Sequence, residues 1–205
     1  MNFSDLKPQI YNYLGFKGVG ESETTDRLIF ESLGELEKIA QFNYIYRLLD
    51  FPPDFLKKEP YASYLSGARG VIVLAMTLGL GVDRRIKSLS RSDMTKAAVL
   101  DACASAYLEA RSDEFEKTLG DDLGYRFCPG YGGSSVEDLS YIFELLRPEK
   151  IGISLGESNF MTPAKSMAGI IAVGKKTGKS CENCFMAKNC RFLGEGGRCY
   201  TWEKK

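Results

Sequence analysis

The chain has no histidine among its 205 residues. Without an imidazole, Ser-His and Cys-His nucleophilic catalysis are excluded, and no histidine ligand is at hand for cobalt or zinc. Neither sign of charge is in surplus: Lys plus Arg and Asp plus Glu each number 27. That balance gives no basic stripe for nucleic acid and no like-charge run of the kind that keeps a segment disordered. Long hydrophobic runs are missing as well. The longest, Val71 to Val82, falls short of the roughly 20 residues that a bilayer-spanning helix needs. It reads as a buried strand followed by a glycine-rich turn. Met1 to Pro8 shows no apolar stretch of signal-peptide type. The expectation is a cytoplasmic protein with no nucleic-acid and no membrane partner. Its six cysteines then read as thiols or ligands rather than disulfides.

The length suits one domain that buries most of its apolar surface without covalent staples. Residues 22 to 41 form an amphipathic pattern, with Leu28, Ile29, Leu33, Leu36, Ile39 and Ala40 on one helical face. Phe51-Pro52-Pro53-Asp54 breaks the chain. Val71 to Thr77 alternates too little for a half-exposed strand and is expected at the centre of a sheet. A long helix is expected from residue 93 to about 118, with Ser92 as its N-cap and Ala97, Ala98, Ala102, Ala104 and Ala106 allowing close packing. Cys103, among these small residues, reads as a core filler. Ser135 should cap a short helix with Leu139, Ile142, Phe143 and Leu146 inward, stopped by Pro148. Ile151 to Leu155 and Gly169 to Gly174 read as strands. Long helices with a few non-alternating strands indicate an α+β domain.

The segment Tyr125-Arg126-Phe127-Cys128-Pro129-Gly130-Tyr131-Gly132-Gly133 is the most informative in the chain. It holds one guanidinium fork, a proline with fixed φ, an aromatic hydroxyl and three glycines that let a ligand approach bare backbone. Two readings stand: a recognition loop for a small anionic or zwitterionic molecule, or a tight surface turn with an incidental arginine. Further on come Ile151-Gly152-Ile153-Ser154-Leu155-Gly156-Glu157-Ser158 and Met161-Thr162-Pro163-Ala164-Lys165-Ser166-Met167-Ala168-Gly169. Earlier come Thr77-Leu78-Gly79, Val82-Asp83-Arg84-Arg85-Ile86, Leu100-Asp101-Ala102 and Leu108-Glu109-Ala110.

In this order and spacing the set resembles the activation domain of cobalamin-dependent methionine synthase, in its short free-standing form. Residues 70 to 173 carry the resemblance, through an Arg-x-x-x-Gly-Tyr loop and a Leu-x-Glu-Ser-x-x-Met-x-Pro-x-x-Ser stretch. It implies a single domain with a twisted, mainly antiparallel sheet and flanking helices, and a site for S-adenosylmethionine. By this resemblance Arg126 holds the cofactor's carboxylate, and Cys128 and Gly130 contribute backbone at the adenosine end. Tyr131 lies beside the methyl donor, and Glu109 and Glu157 supply carboxylates toward its positive groups. Tyr131 and Glu109 are the expected catalytic pair. Tyr131 has an alternative as an aromatic packed under its loop, Glu109 as a solvated helix residue, and Glu157 as a partner of backbone donors in the following turn. The family's N-terminal aspartate for the cofactor's amine has no matched residue here, and its tyrosines beyond the last strand are replaced by Lys175-Lys176-Thr177-Gly178-Lys179-Ser180.

Cys181, Cys184, Cys190 and Cys199 form a second signal. Four thiolates with intervening glycines suit tetrahedral zinc or an iron–sulfur cluster, or they remain free or oxidised thiols. The domain division is therefore 1–178 for the S-adenosylmethionine-binding unit and 179–205 for a cysteine-rich tail. The function the resemblance implies is reductive reactivation of a corrinoid methyltransferase in trans. The cobalamin would reside on a partner, a corrinoid-binding methionine synthase or related methyltransferase, and a flavodoxin-like protein would donate the electron. The rival reading is a zinc or iron–sulfur interaction or electron-relay module that docks on a corrinoid protein without using S-adenosylmethionine.

Overall fold

A computed structural model describes residues 3–16 and 22–178. The expected cysteine-rich tail lies outside the described residues. In chain order the elements are α1 (Phe3–Tyr13), α2 (Glu23–Ile39), β1 (Asn43–Leu49), α3 (Tyr61–Leu65), β2 (Gly70–Thr77), α4 (Leu80–Leu89), α5 (Met94–Leu119), α6 (Leu139–Leu146), β3 (Ser154–Leu155), β4 (Met161–Thr162) and β5 (Ser166–Val173). Short 3-10 turns at Asp54–Lys57, Val136–Asp138 and Pro148–Ile151 join them. This is an α+β domain, as the sequence predicts.

The main sheet has the order β1-β2-β5, antiparallel throughout. β2 is the central strand, and all eight of its residues are buried, which is why Gly70 to Thr77 shows no polar alternation. Period-two geometry divides its side chains between two cores. Val71, Val73 and Ala75 join Ala168, Ile170 and Ala172 of β5 against α3 and α6. Ile72, Leu74 and Met76 join Ile171 against Phe115 of α5. A larger helical core of α1, α2, α4 and α5 holds Ile10, Ile29, Leu36, Val82 and Leu100. Cys103 is fully buried in it, and burial pushes its thiol pKa up to about 12.

Several local expectations need adjusting. The cap of α5 is Asp93, whose carboxylate accepts from Lys96 N at 2.9 Å, one residue beyond Ser92. Ser135 does cap, but it opens the 3-10 turn that leads into α6. Only Ser154–Leu155 of the expected 151–155 strand is extended, because Pro148 starts a 3-10 turn that runs through Ile151. β5 begins three residues earlier than expected, at Ser166. The glycine-rich turn after β2 is brief, and Leu80 already opens α4. β1 went unrecognised because its burial alternates weakly on an edge.

The segment 123–127 lies along the free side of β5, through bridges Leu123–Val173 and Phe127–Ile170. Tyr64 fastens it. Its hydroxyl donates to Tyr125 O and accepts from Ala172 N at 3.0 Å, so one side chain ties α3, the segment and β5 together. Burial raises the Tyr64 pKa and keeps it a neutral donor. Tyr64→Phe therefore strips two buried backbone groups of a partner and should cost about 1–3 kcal/mol. Urea denaturation of both proteins gives that difference, and equal midpoints would show the clamp to be idle.

Candidate functional site

The extended geometry of residues 125–128 decides which way each side chain faces. Phe127 is buried in the core beside Tyr61 and Tyr64, ring centroids 5.3 Å away in both cases. Arg126 and Cys128 consequently turn to the opposite side, toward α5. Phe127 and Ile170 exchange both backbone hydrogen bonds, at 2.8 and 2.9 Å. Gly169 is what permits this approach: a Cβ there would stand 2.7 Å from Phe127 O and 3.2 Å from Cys128 Sγ.

Arg126 is buried, with its side chain only 3% exposed. Its guanidinium meets three carboxylates of α5. Nη2 donates to Glu109 Oε2 at 2.5 Å and faces Asp113 Oδ1 at 3.7 Å, while Nη1 is bound by Glu116 Oε1. Residues 109, 113 and 116 fall on one helical face, four and three positions apart. Burial by itself would lower the guanidinium pKa. The charges of Glu116 and Glu109, with Cys128 and Asp113 behind them, outweigh it and raise the pKa, so the fork stays charged. Three carboxylates around one guanidinium leave two negative charges in surplus.

Beyond Arg126 the chain closes into a turn braced by its own polar groups. Tyr131 N donates to Cys128 O at 3.2 Å and Ser134 N to Tyr131 O at 3.0 Å. Ser134 Oγ accepts from Gly130 N at 3.1 Å and donates to Tyr131 O at 2.7 Å. Gly130 (φ +87°) and Gly132 (φ +59°) occupy the left-handed region. At Gly132 a Cβ would also strike the Phe127 ring at 2.8 Å. Tyr131 is 72% exposed at the tip.

The structure thus brings Arg126 and Glu109 into direct contact and places Cys128, Gly130 and Tyr131 on the strand and turn leading away from them. Glu157 is separate, exposed on the turn between β3 and β4. Among the described residues, no ion pair joins it to the Arg126 cluster. Lys165 and Ser166 of the same motif hold the chain entering β5. Lys165 Nζ pairs with Asp101 at 2.9 Å and donates to Ser105 Oγ at 2.9 Å. Ser166 Oγ donates to the buried Thr77 Oγ1 at 2.8 Å. Asp113 and Glu116 were missed from sequence, although their helical spacing from Glu109 was a usable signal. Cys181, Cys184, Cys190 and Cys199 lie outside the described residues. Among the described residues no group of three or more Cys, Asp or Glu side chains is placed to hold a metal ion, and no helix is long and apolar enough to cross a membrane.

No protein-family model matches the chain, and no curated protein matches it. Among solved structures it is similar to the MetH reactivation domain bound to AdoHcy, with a TM-score of 0.63 and 16% identity. The likeness covers 88% of this chain and 78% of that one. At this identity the likeness shows the fold. It accords with the architecture expected from the resemblance in sequence.

The close approach at residue 169 generates a prediction. Gly169→Ala should destabilise the domain by about 1–3 kcal/mol, the usual cost of overpacking, and should loosen residues 125–128. Native-state hydrogen exchange at Phe127 and Ile170 measures the second effect. Unchanged protection at both amides would show that the pairing does not depend on the glycine.

Proposed function

We propose that this protein binds S-adenosylmethionine at the Arg126 strand and the glycine turn, and acts in trans to reactivate a partner's corrinoid. The observation that carries the reading is the contact of Arg126 with Glu109 beside the self-braced 128–134 turn, on a fold like that of the MetH reactivation domain bound to AdoHcy. S-adenosylmethionine carries a carboxylate, an ammonium and a sulfonium, so its site needs a cationic fork next to anionic groups. The residues present suit those needs. Arg126 is the fork for the carboxylate, and Glu109 is the acceptor for the ammonium. Backbone of Cys128 and Gly130 lies where glycine lets the adenosine end come close. Tyr131 projects from the turn, where it can stand beside the methyl group. Glu157, from the β3–β4 turn, would close one wall.

When bound, S-adenosylmethionine supplies an activated methyl group. The reaction class is transfer of that methyl from sulfonium to the one-electron-reduced cobalt of the partner's corrinoid, with S-adenosylhomocysteine leaving. A flavodoxin-like donor would provide the electron. The chain itself contributes alignment, which can lower a barrier by roughly 7–11 kcal/mol, and carboxylates that hold the positive groups in place. The transfer requires no general base, consistent with a chain that has no histidine.

Arg126→Lys tests the fork while keeping the positive charge against the three carboxylates. It should weaken S-adenosylmethionine by about 1.5–3 kcal/mol, the range for a charge-assisted hydrogen bond. Calorimetry on folded protein measures it, and unaltered affinity would remove Arg126 from the site. The isolated protein should also transfer no methyl group to homocysteine and should become active only with a corrinoid protein and a reductant. Turnover of homocysteine by the chain alone would sink the in-trans reading.

A further inference from the structure

We infer that Glu116 is an internal stand-in for the ligand's carboxylate, occupying the Arg126 fork in the free protein so that the ligand must displace it. The inference rests on the S-adenosylmethionine reading of the site and concerns how that site is held when free.

The two arms of the fork are not equivalent. Nη2 is shared by Glu109 and Asp113, so it stays compensated if either moves. Nη1 is bound by Glu116, a flexible side chain whose carboxylate is the same chemical group as the ligand's own. Glu116 is also the most buried of the three, 16% exposed against 33% for Glu109 and 55% for Asp113. It therefore fills desolvated space next to the guanidinium rather than reaching in from solvent.

Its position on α5 bears on what the exchange costs. Glu116 lies in the last turn of the helix, which ends at Leu119 and passes into Gly120. The partial negative charge at a helix C-terminus disfavours a carboxylate there, and the Arg126 guanidinium offsets that. A zwitterion placing its carboxylate on Nη1 replaces that contact with an equivalent one, and its ammonium gains Glu109 and the released Glu116 nearby. The exchange conserves the pairing of the buried guanidinium, which would otherwise be costly to strip. Binding strength is consequently reduced by the cost of moving Glu116 aside.

The sign of the mutational effect separates this device from general electrostatics. Removing any negative charge close to a cationic ligand should weaken binding. Removing a competing carboxylate should strengthen it. Calorimetric titration of S-adenosylmethionine and of S-adenosylhomocysteine into the full chain, Glu116→Gln and Glu114→Gln makes the comparison. Glu114 pairs with Arg111 at 3.1 Å on the solvent side of the same helix and serves as the charge control. Glu116→Gln should bind both ligands more tightly, by roughly two- to tenfold, the net worth of one hydrogen bond. Glu114→Gln should bind with unchanged or slightly lower affinity. Binding by Glu116→Gln but not by the natural chain would support the same device in its strongest form. Equal or weaker binding by Glu116→Gln, when the natural chain binds, would overturn the stand-in while leaving the site itself in place. No binding by any of the three proteins would overturn the site and this inference with it.

Discussion

The pairing of Phe127 with Ile170 is the constraint on which the rest of the site depends. Two backbone hydrogen bonds fix residues 125–128 as an extra edge to the sheet, and strand alternation then sends Phe127 inward and Arg126 toward α5. A one-residue slip would exchange them, burying a guanidinium among aromatic rings and exposing a phenylalanine. The register is protected from both sides. The Phe127 ring packs 5.3 Å from both Tyr61 and Tyr64, and Gly169 of β5 lets the chain pass closely. Packing energy in one core thereby sets the position of a charge on the other side of the sheet.

The same sheet explains why the second stretch of the motif plays a different part. Lys165, Ser166 and Thr77 bond to one another and to α5 at the entrance to β5. Their polar groups are satisfied by the protein, so they anchor the strand that carries Gly169. The glutamate of that stretch, Glu157, stays on an exposed turn. One motif thus divides into an anchor for β5 and an exposed carboxylate on a separate turn.

Elements with a strong pattern were legible in the sequence. The amphipathic run of α2 and the unalternating run of β2 correspond to elements within a residue or two, because each has one dominant packing requirement. β1 was not legible. As an edge strand it leaves Tyr44, Tyr46 and Leu48 partly exposed, and its stability comes from pairing with β2 and stacking on Phe115, neither of which is local in sequence. The 151–155 strand was overextended because Ile-Gly-Ile resembles a strand locally while Pro148 and the left-handed Arg147 and Gly152 dictate a turn. At the site, Arg126 and the glycine turn were legible from composition. The ring of acids around Arg126 was only partly so. Glu109 came with the family resemblance, whereas Asp113 and Glu116 needed the helix to be drawn as a cylinder, with its 109, 113 and 116 positions superposed.

That acidic ring is poorly explained as a stabilising device. A buried ion pair seldom outperforms a well-packed apolar replacement, because desolvation offsets most of the attraction. Here the imbalance is larger, since one guanidinium cannot neutralise three carboxylates. Glu116 lies in the last turn of α5, where the helix dipole disfavours negative charge. A domain selected only for stability would place an apolar side chain at 126 and a lysine or arginine at 116. Retaining the opposite arrangement concentrates acidic groups beside the buried fork. On the reading proposed above, a ligand carrying both signs of charge, as a sulfonium amino acid does, would meet the fork and the acids together.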